Sequence, residues 1–173
     1  MTATLLLMGA LAAAPLFSQP GVSDPVMRKS EVVWFSLTEN RAEVTKKLGP
    51  PAAVADFGED YQAWHYHIGN HDLHDYSHFL VFRRSTGKLV SVTRVYEEEQ
   101  NVDVLFPDSG TAVHFMQDSA YGARVRRLPG GRVLIAMGST GKGRPTRQLM
   151  LVGESDLRNF HDWLYASMTR GER

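Results

Sequence analysis

The stretch from Asn40 to Val95 most constrains what this chain can fold into, because it joins a capped helix to a hard stop and then to strand patterns. Asn40 followed three residues later by Glu43 is a capping-box arrangement, each side chain positioned to satisfy a backbone amide of the other's turn. Leu37 before the cap and Val44 at the fourth helical position supply a hydrophobic staple. Val44 and Leu48 share one face at i, i+4, which leaves Arg41, Lys46 and Lys47 to solvent. The two lysines fall in the last turn, where the helix dipole favours cations. Gly49 suits a left-handed cap, and Pro50-Pro51 cannot continue the helix. The spacing therefore predicts a helix that ends at Leu48.

Ala52–Asp60 reads as a loop, after which alternation begins. In Tyr61–Ile68, Trp64, Tyr66 and Ile68 fall on one face while Ala63, His65 and His67 fall on the other. A polar loop, Gly69–Ser77, leads to a strand over His78–Arg84. Ser85-Thr86-Gly87 is a hairpin turn, and Lys88–Val95 pairs back. The charged run Glu97–Asn101 reads as a solvated edge or linker that ends the unit.

The second half continues the β character. Val113–Met116 is a short strand candidate, and Ala123–Leu128 and Arg132–Met137 flank the turn Pro129-Gly130-Gly131. Gly138–Thr146 reads as a Gly-rich basic loop and Gln148–Val152 as a further strand. Ser155 is placed to cap a final amphipathic helix, Asp156–Met168, with Leu157, Phe160, Trp163, Leu164 and Met168 as its apolar stripe. The expected fold class is α+β: an antiparallel sheet with the short Asn40 helix and the C-terminal helix packed on it. The expected organisation is a signal peptide over 1–18, a tether over 19–30, an α+β module over 31–102, and a β-rich module over 103–173 that ends in a helix. Whether the two modules share one sheet is left open.

Leu5–Ala14 is an apolar, small-residue run of signal-peptide length, too short to span a bilayer. It predicts an exported protein, periplasmic or secreted. The 173 residues contain no cysteine, which removes disulfides, thiolate nucleophiles and a lipidated N-terminal cysteine together, so a lipoprotein is not expected. Nineteen basic residues balance nineteen acidic ones, and no global field points to nucleic acid.

The segment Asn40–Val95 resembles the SmpA/OmlA (BamE) family and the wider fold class that includes the β-lactamase inhibitor protein. Glu43-Val44, Lys47-Leu48-Gly49-Pro50-Pro51, Trp64 with Tyr66, Phe79-Leu80-Val81-Phe82 and Gly87-Lys88-Leu89-Val90 carry the resemblance. It implies a small α+β module that binds other proteins or lipid at the bacterial cell envelope, and it implies no enzyme activity. The region from about Asp103 has no counterpart in the minimal family domain.

Three constellations invite chemistry. His65, His67, His71, His74 and His78 fall within fourteen residues, and His-x-His on a strand can clamp a divalent metal such as zinc, with Asp72 or Asp75 completing the set. Clustered imidazoles also charge together as pH falls. The commoner account is solvated polar residues. From Ser119 to Gly153 there are seven basic residues and no acidic ones, so a cationic hairpin through Arg124, Arg126, Arg127, Arg132 and Arg147 is a candidate surface for anionic lipid or glycan. Gly138–Gly143 fails as a phosphate loop, because Ala136 and Gly143 stand where a P-loop needs Gly and Ser or Thr. No Gly-x-Ser-x-Gly or His-Glu-x-x-His is present. The sequence thus predicts a non-enzymatic, cofactor-free binding module with a protein partner at the cell envelope. Exposed strand edges, the aromatic positions Trp64, Tyr66 and Phe79, or the arginines Arg124, Arg126 and Arg127 would supply its interface.

Overall fold

The computed structural model describes residues 35–68, 76–101, 112–116, 121–139 and 145–170. The signal and tether stretches, His71, His74, Lys142 and Arg144 lie outside the described residues. Among the described residues three helices, α1 (Arg41–Leu48), α2 (Glu154–Phe160) and α3 (Asp162–Arg170), flank strands β1 (Ala53–Phe57), β2 (Tyr61–Ile68), β3 (Tyr76–Arg83), β4 (Leu89–Asn101), β5 (Ala112–Phe115), β6 (Tyr121–Leu128), β7 (Arg132–Ser139) and β8 (Pro145–Gly153). The eight strands form one antiparallel sheet in the order β1-β2-β3-β4-β8-β7-β6-β5. Strands of the two halves of the chain meet where β4 pairs with β8, Val92 opposite Leu151 and Arg94 opposite Leu149. The fold class is therefore α+β, dominated by the sheet. Among the described residues no helix is long and apolar enough to cross a membrane.

Helix α1 forms as its sequence dictates. The Asn40 side chain accepts from the amides of Ala42 and Glu43, and Glu43 accepts from the Asn40 amide at 2.8 Å. Gly49 departs from the left-handed cap the sequence suggested: at φ 77°, ψ −170° it takes an extended conformation open to glycine, and it donates its amide to the Thr45 carbonyl at 2.8 Å. Val44 and Leu48 are buried against Trp64, Tyr66, Leu80 and Phe82 on one face of the sheet. The opposite face is covered by α2 and α3, whose Leu157, Phe160, Leu164 and Met168 pack on Val133, Ile135, Met150 and Val152. Burial on both faces makes Leu89–Arg94 and Val133–Met137 continuously buried rather than alternating.

Several boundaries differ from the sequence expectation; β3, β5 and β6 begin one or two residues early, at Tyr76, Ala112 and Tyr121. Ala53–Phe57 is an edge strand, not loop; Ala53–Asp56 are all exposed, so no alternation marks it. Strand β4 runs on through the charged segment to Asn101, which pairs with Pro145. Gly138 and Ser139 belong to β7 and Pro145 and Thr146 to β8. The C-terminal helix is two helices separated at His161, whose backbone leaves the helical region at φ −142°, ψ 77°. Gly153, not Ser155, is the cap of α2; no side chain caps it, and the Gly131 carbonyl accepts the Glu154 amide at 2.8 Å.

Candidate functional site

The antiparallel order brings several turns to one end of the sheet. Strands β3, β6 and β8 end there and β4 and β7 begin there, with Phe82 opposite Leu89, Ser91 opposite Val152 and Arg132 opposite Gly153. The β3–β4 turn with Thr86 and Lys88, the β6–β7 turn with Gly130 and Gly131, and the start of α2 surround a cleft of about 310 Å³. Ser36–Thr38 form one wall.

That wall is a locked turn. Leu37 holds φ 63°, the one positive φ at a non-glycine among the described residues. The buried Glu39 carboxylate stabilises it by accepting from the Ser36 amide at 3.1 and 3.2 Å and from the Ser36 hydroxyl at 3.0 Å. Lys47 on α1 donates to the same carboxylate at 3.0 Å. Burial alone would raise the Glu39 pKa, but these hydrogen bonds and that of its own amide hold it below 4.5. The Leu89 amide donates to the Glu39 carbonyl at 2.7 Å and Arg132 Nη1 donates to the Phe35 carbonyl at 3.1 Å, which ties the turn to β4 and β7.

A polar network closes the α2 side. The Asp156 carboxylate accepts from Arg83 Nη2 and from the Tyr61 hydroxyl, the latter at 3.3 Å, and Asn159 Nδ2 donates to that hydroxyl at 2.9 Å. Burial first, then the Asp156 charge, raises the Tyr61 pKa above 10, so the phenol donates rather than ionises. Asp156 is 7% exposed while the Arg83 side chain is 40% exposed. Asp156→Asn is therefore expected to cost about 1–2 kcal/mol, less than a fully buried pair would, because water can rescue Arg83. Urea unfolding measures it, and a loss below about 0.5 kcal/mol would mean the network is only a surface ion pair.

The residues singled out in the sequence are scattered by strand alternation. Trp64 and Tyr66 lie in the core beneath α1, Trp64 tilted against Phe82 at 4.7 Å between ring centroids, so neither offers an accessible interface. The Tyr66 hydroxyl donates to the Gly49 carbonyl at 3.2 Å, and burial pushes its pKa up to about 12. Phe79 faces the α2–α3 side, its ring stacked on His65 at 4.8 Å. Arg124 and Arg126 share the α1 face with Ala136 and Leu134, whereas Arg127 lies on the other and pairs with Glu154 at 3.0 Å. Arg124 is buried and Arg126 half-buried, so these three arginines do not form one cationic patch.

The histidines are divided in the same way. His65 stands opposite Phe79 on one face, and His78, opposite Tyr66, points to the other. His67 occupies β2 opposite Ser77. Among the described residues no three His, Asp or Glu groups come together as a metal site. His78 is fully buried and its Nε2 accepts from Arg94 Nε at 3.2 Å. Burial, then the Arg94 charge, pulls its pKa well below 6.5, so the ring is neutral. Arg94 is itself buried, over the Tyr96 ring at 5.8 Å.

Sequence reasoning missed Lys88, Arg132, Glu39 and Asp156 as a set, because they come from four separate segments, the turn before α1, the β3–β4 turn, the start of β7 and the start of α2, that only the strand order assembles. Arg94 did carry a local signal: it shares a strand face with Val92 and Tyr96, an inward position.

Neither a protein-family model nor a curated protein matches the chain. Among solved structures it is similar to a cysteine-rich secretory protein from Staphylococcus aureus subsp. aureus Mu50, at 11% identity and a TM-score of 0.48, over 73% of this chain and 46% of that one. It is also similar to an extracellular protein containing a SCP domain from Bacillus anthracis str. Ames, at 13% identity and a TM-score of 0.41, over 82% of this chain and 51% of that one. The chain spans about half the length of each.

Proposed function

We propose that the protein is an exported, non-enzymatic binding module that engages a protein partner at the cell envelope by adding a strand to the free edge of β1. The observation that carries this reading is the edge itself. Among the described residues β1 ends the strand order, its residues Ala53–Asp56 are all exposed, and Val54 is an exposed large apolar side chain at 52%. An uncovered strand presents a row of amides and carbonyls, and strand addition lets backbone bonds supply affinity while alternate side chains supply selectivity. The apolar run Leu5–Ala14 supports export, and the resemblance of Asn40–Val95 to the SmpA/OmlA (BamE) pattern supports an envelope role.

Adjacent amides along a strand point alternately toward the neighbouring strand and away from it. Of Val54→Pro and Ala55→Pro, one therefore removes an outward donor and the other an inward one. The outward variant is expected to keep its melting temperature and lose the partner that the wild-type chain captures from its own envelope fraction. The inward variant is expected to melt earlier. Capture of the same partner by a stable outward variant would exclude the β1 edge as the interface.

A further inference from the structure

We propose that the cleft between the β3–β4 and β6–β7 turns binds a small phosphate-type oxyanion, held by Lys88 and Arg132. The argument begins with charge. Three cations line the cleft, Arg83, Lys88 and Arg132, against one carboxylate, Asp156. Asp156 is committed to Arg83 and to the Tyr61 hydroxyl, so it neutralises Arg83 and leaves the other two cations without a described carboxylate. Arg132 is fixed without being neutralised. Its Nε donates to the Pro129 carbonyl at 3.0 Å and its Nη1 to the Phe35 carbonyl at 3.1 Å. Both acceptors are uncharged carbonyls, and a guanidinium presents five N–H donors, so donors remain for a ligand. Lys88 is exposed, and its backbone is pinned by its own amide donating to Thr86 Oγ1 at 3.3 Å and by the bridge to Asn40.

Shape agrees with charge. A volume of about 310 Å³ holds roughly ten waters. That is the small end of the range for ligand pockets, with room for a phosphate or small phosphate ester and waters beside it. The wall at Ser36–Glu39 is held rigid by the Glu39 carboxylate and includes the strained Leu37, and strain of this kind collects at ligand clamps. A rigid wall and an anchored guanidinium reduce the ordering cost that binding must overcome.

Phosphate could come free in solution or on a lipid head group, and the experiment separates the two. The intact chain is titrated with inorganic phosphate by calorimetry, with chloride at matched ionic strength as the reference. In parallel it is sedimented with phosphatidylglycerol vesicles and with phosphatidylcholine vesicles. Saturable binding is expected in the phosphate arm for a soluble ligand, or in the phosphatidylglycerol arm alone for a head group. In either case Lys88→Gln should bind about tenfold more weakly, the loss of one charge-assisted contact. Lys46→Gln, on the exposed side of α1, should bind as wild type does. Lys88 is exposed, so its replacement leaves the fold intact; a circular-dichroism melt confirms it. Absence of binding in both arms, or equal binding by wild type and Lys88→Gln, overturns the proposal.

Discussion

Leu151→Ala is expected to lower stability by about 3 kcal/mol and to do so for both halves of the sheet at once. Leu151 is fully buried at the centre of the α1 face, opposite Val92 on β4 and Leu134 on β7. Truncation removes three buried carbons and leaves a cavity between strands that cannot close without breaking their register, so the cost is a transfer term plus a cavity term. For a chain of this size the expected fall in melting temperature is about 10 °C. The larger point concerns cooperativity. β4 is the last strand of the first half and β8 the last of the second, and their pairing is how the two halves become one sheet. A defect at Leu151 should therefore shift one common transition. Urea unfolding followed by far-ultraviolet circular dichroism and by tryptophan fluorescence tests this, because Trp64 reports on β2 and Trp163 on α3. Two separated transitions, with only one moved by the substitution, would show that the halves fold independently.

The parts of this fold that were legible in the sequence are those whose signal is local. Asn40, Glu43 and Gly49 are enough to place α1, because cap chemistry acts over four residues. The alternation in Tyr61–Ile68 and the glycines at 87 and 130–131 define β2 and two hairpins for the same reason. What escaped depends on distant partners. β1 has no buried face to impose a pattern, so Ala53–Phe57 looked like loop. Gln100 and Asn101 looked solvated because their partners on β8, Thr146 and Pro145, lie far along the chain, whereas Glu99 is indeed exposed. The break at His161 was hidden because Leu157, Phe160, Leu164 and Met168 are all buried on the same cluster, and an apolar stripe does not reveal an interrupted backbone. One clue was present and unused: Val133–Met137 is apolar throughout, which is the pattern of a strand covered on both faces. The candidate site was the least legible feature. Lys88 reads as the start of one strand and Arg132 as one cation of a hairpin, and nothing in the sequence joins them until β4 and β7 place them at the same end of the sheet.

Lowering the pH from 7 to 5 is expected to cost about 2 kcal/mol through His161 alone. This residue sits at the junction of α2 and α3, its amide donating to the Leu157 carbonyl and its carbonyl accepting from the Tyr165 amide. Burial pulls its pKa down to about 4, with the Asp162 charge opposing. In the unfolded chain the same imidazole titrates near 6.5. The unfolded state therefore takes up the proton first, and the stabilisation is complete above pH 6.5 and is lost as pH falls toward 4. His78 shifts in the same direction, by burial and then the Arg94 charge, and His114 does so by burial and then the Arg127 charge. Acidification therefore destabilises the fold through all three, and they act from separate places in it. Glu39 adds to the loss only at lower pH, because its folded pKa lies below 4.5. Between pH 6.5 and 5 the slope of stability against pH thus reports chiefly the histidines. His161→Gln is expected to flatten that slope and to gain stability relative to wild type at pH 5 compared with pH 7, a relative shift of about 6 °C in melting temperature. A His161→Gln slope equal to that of wild type would assign the acid sensitivity to His78 and His114 and remove the helix junction from the account.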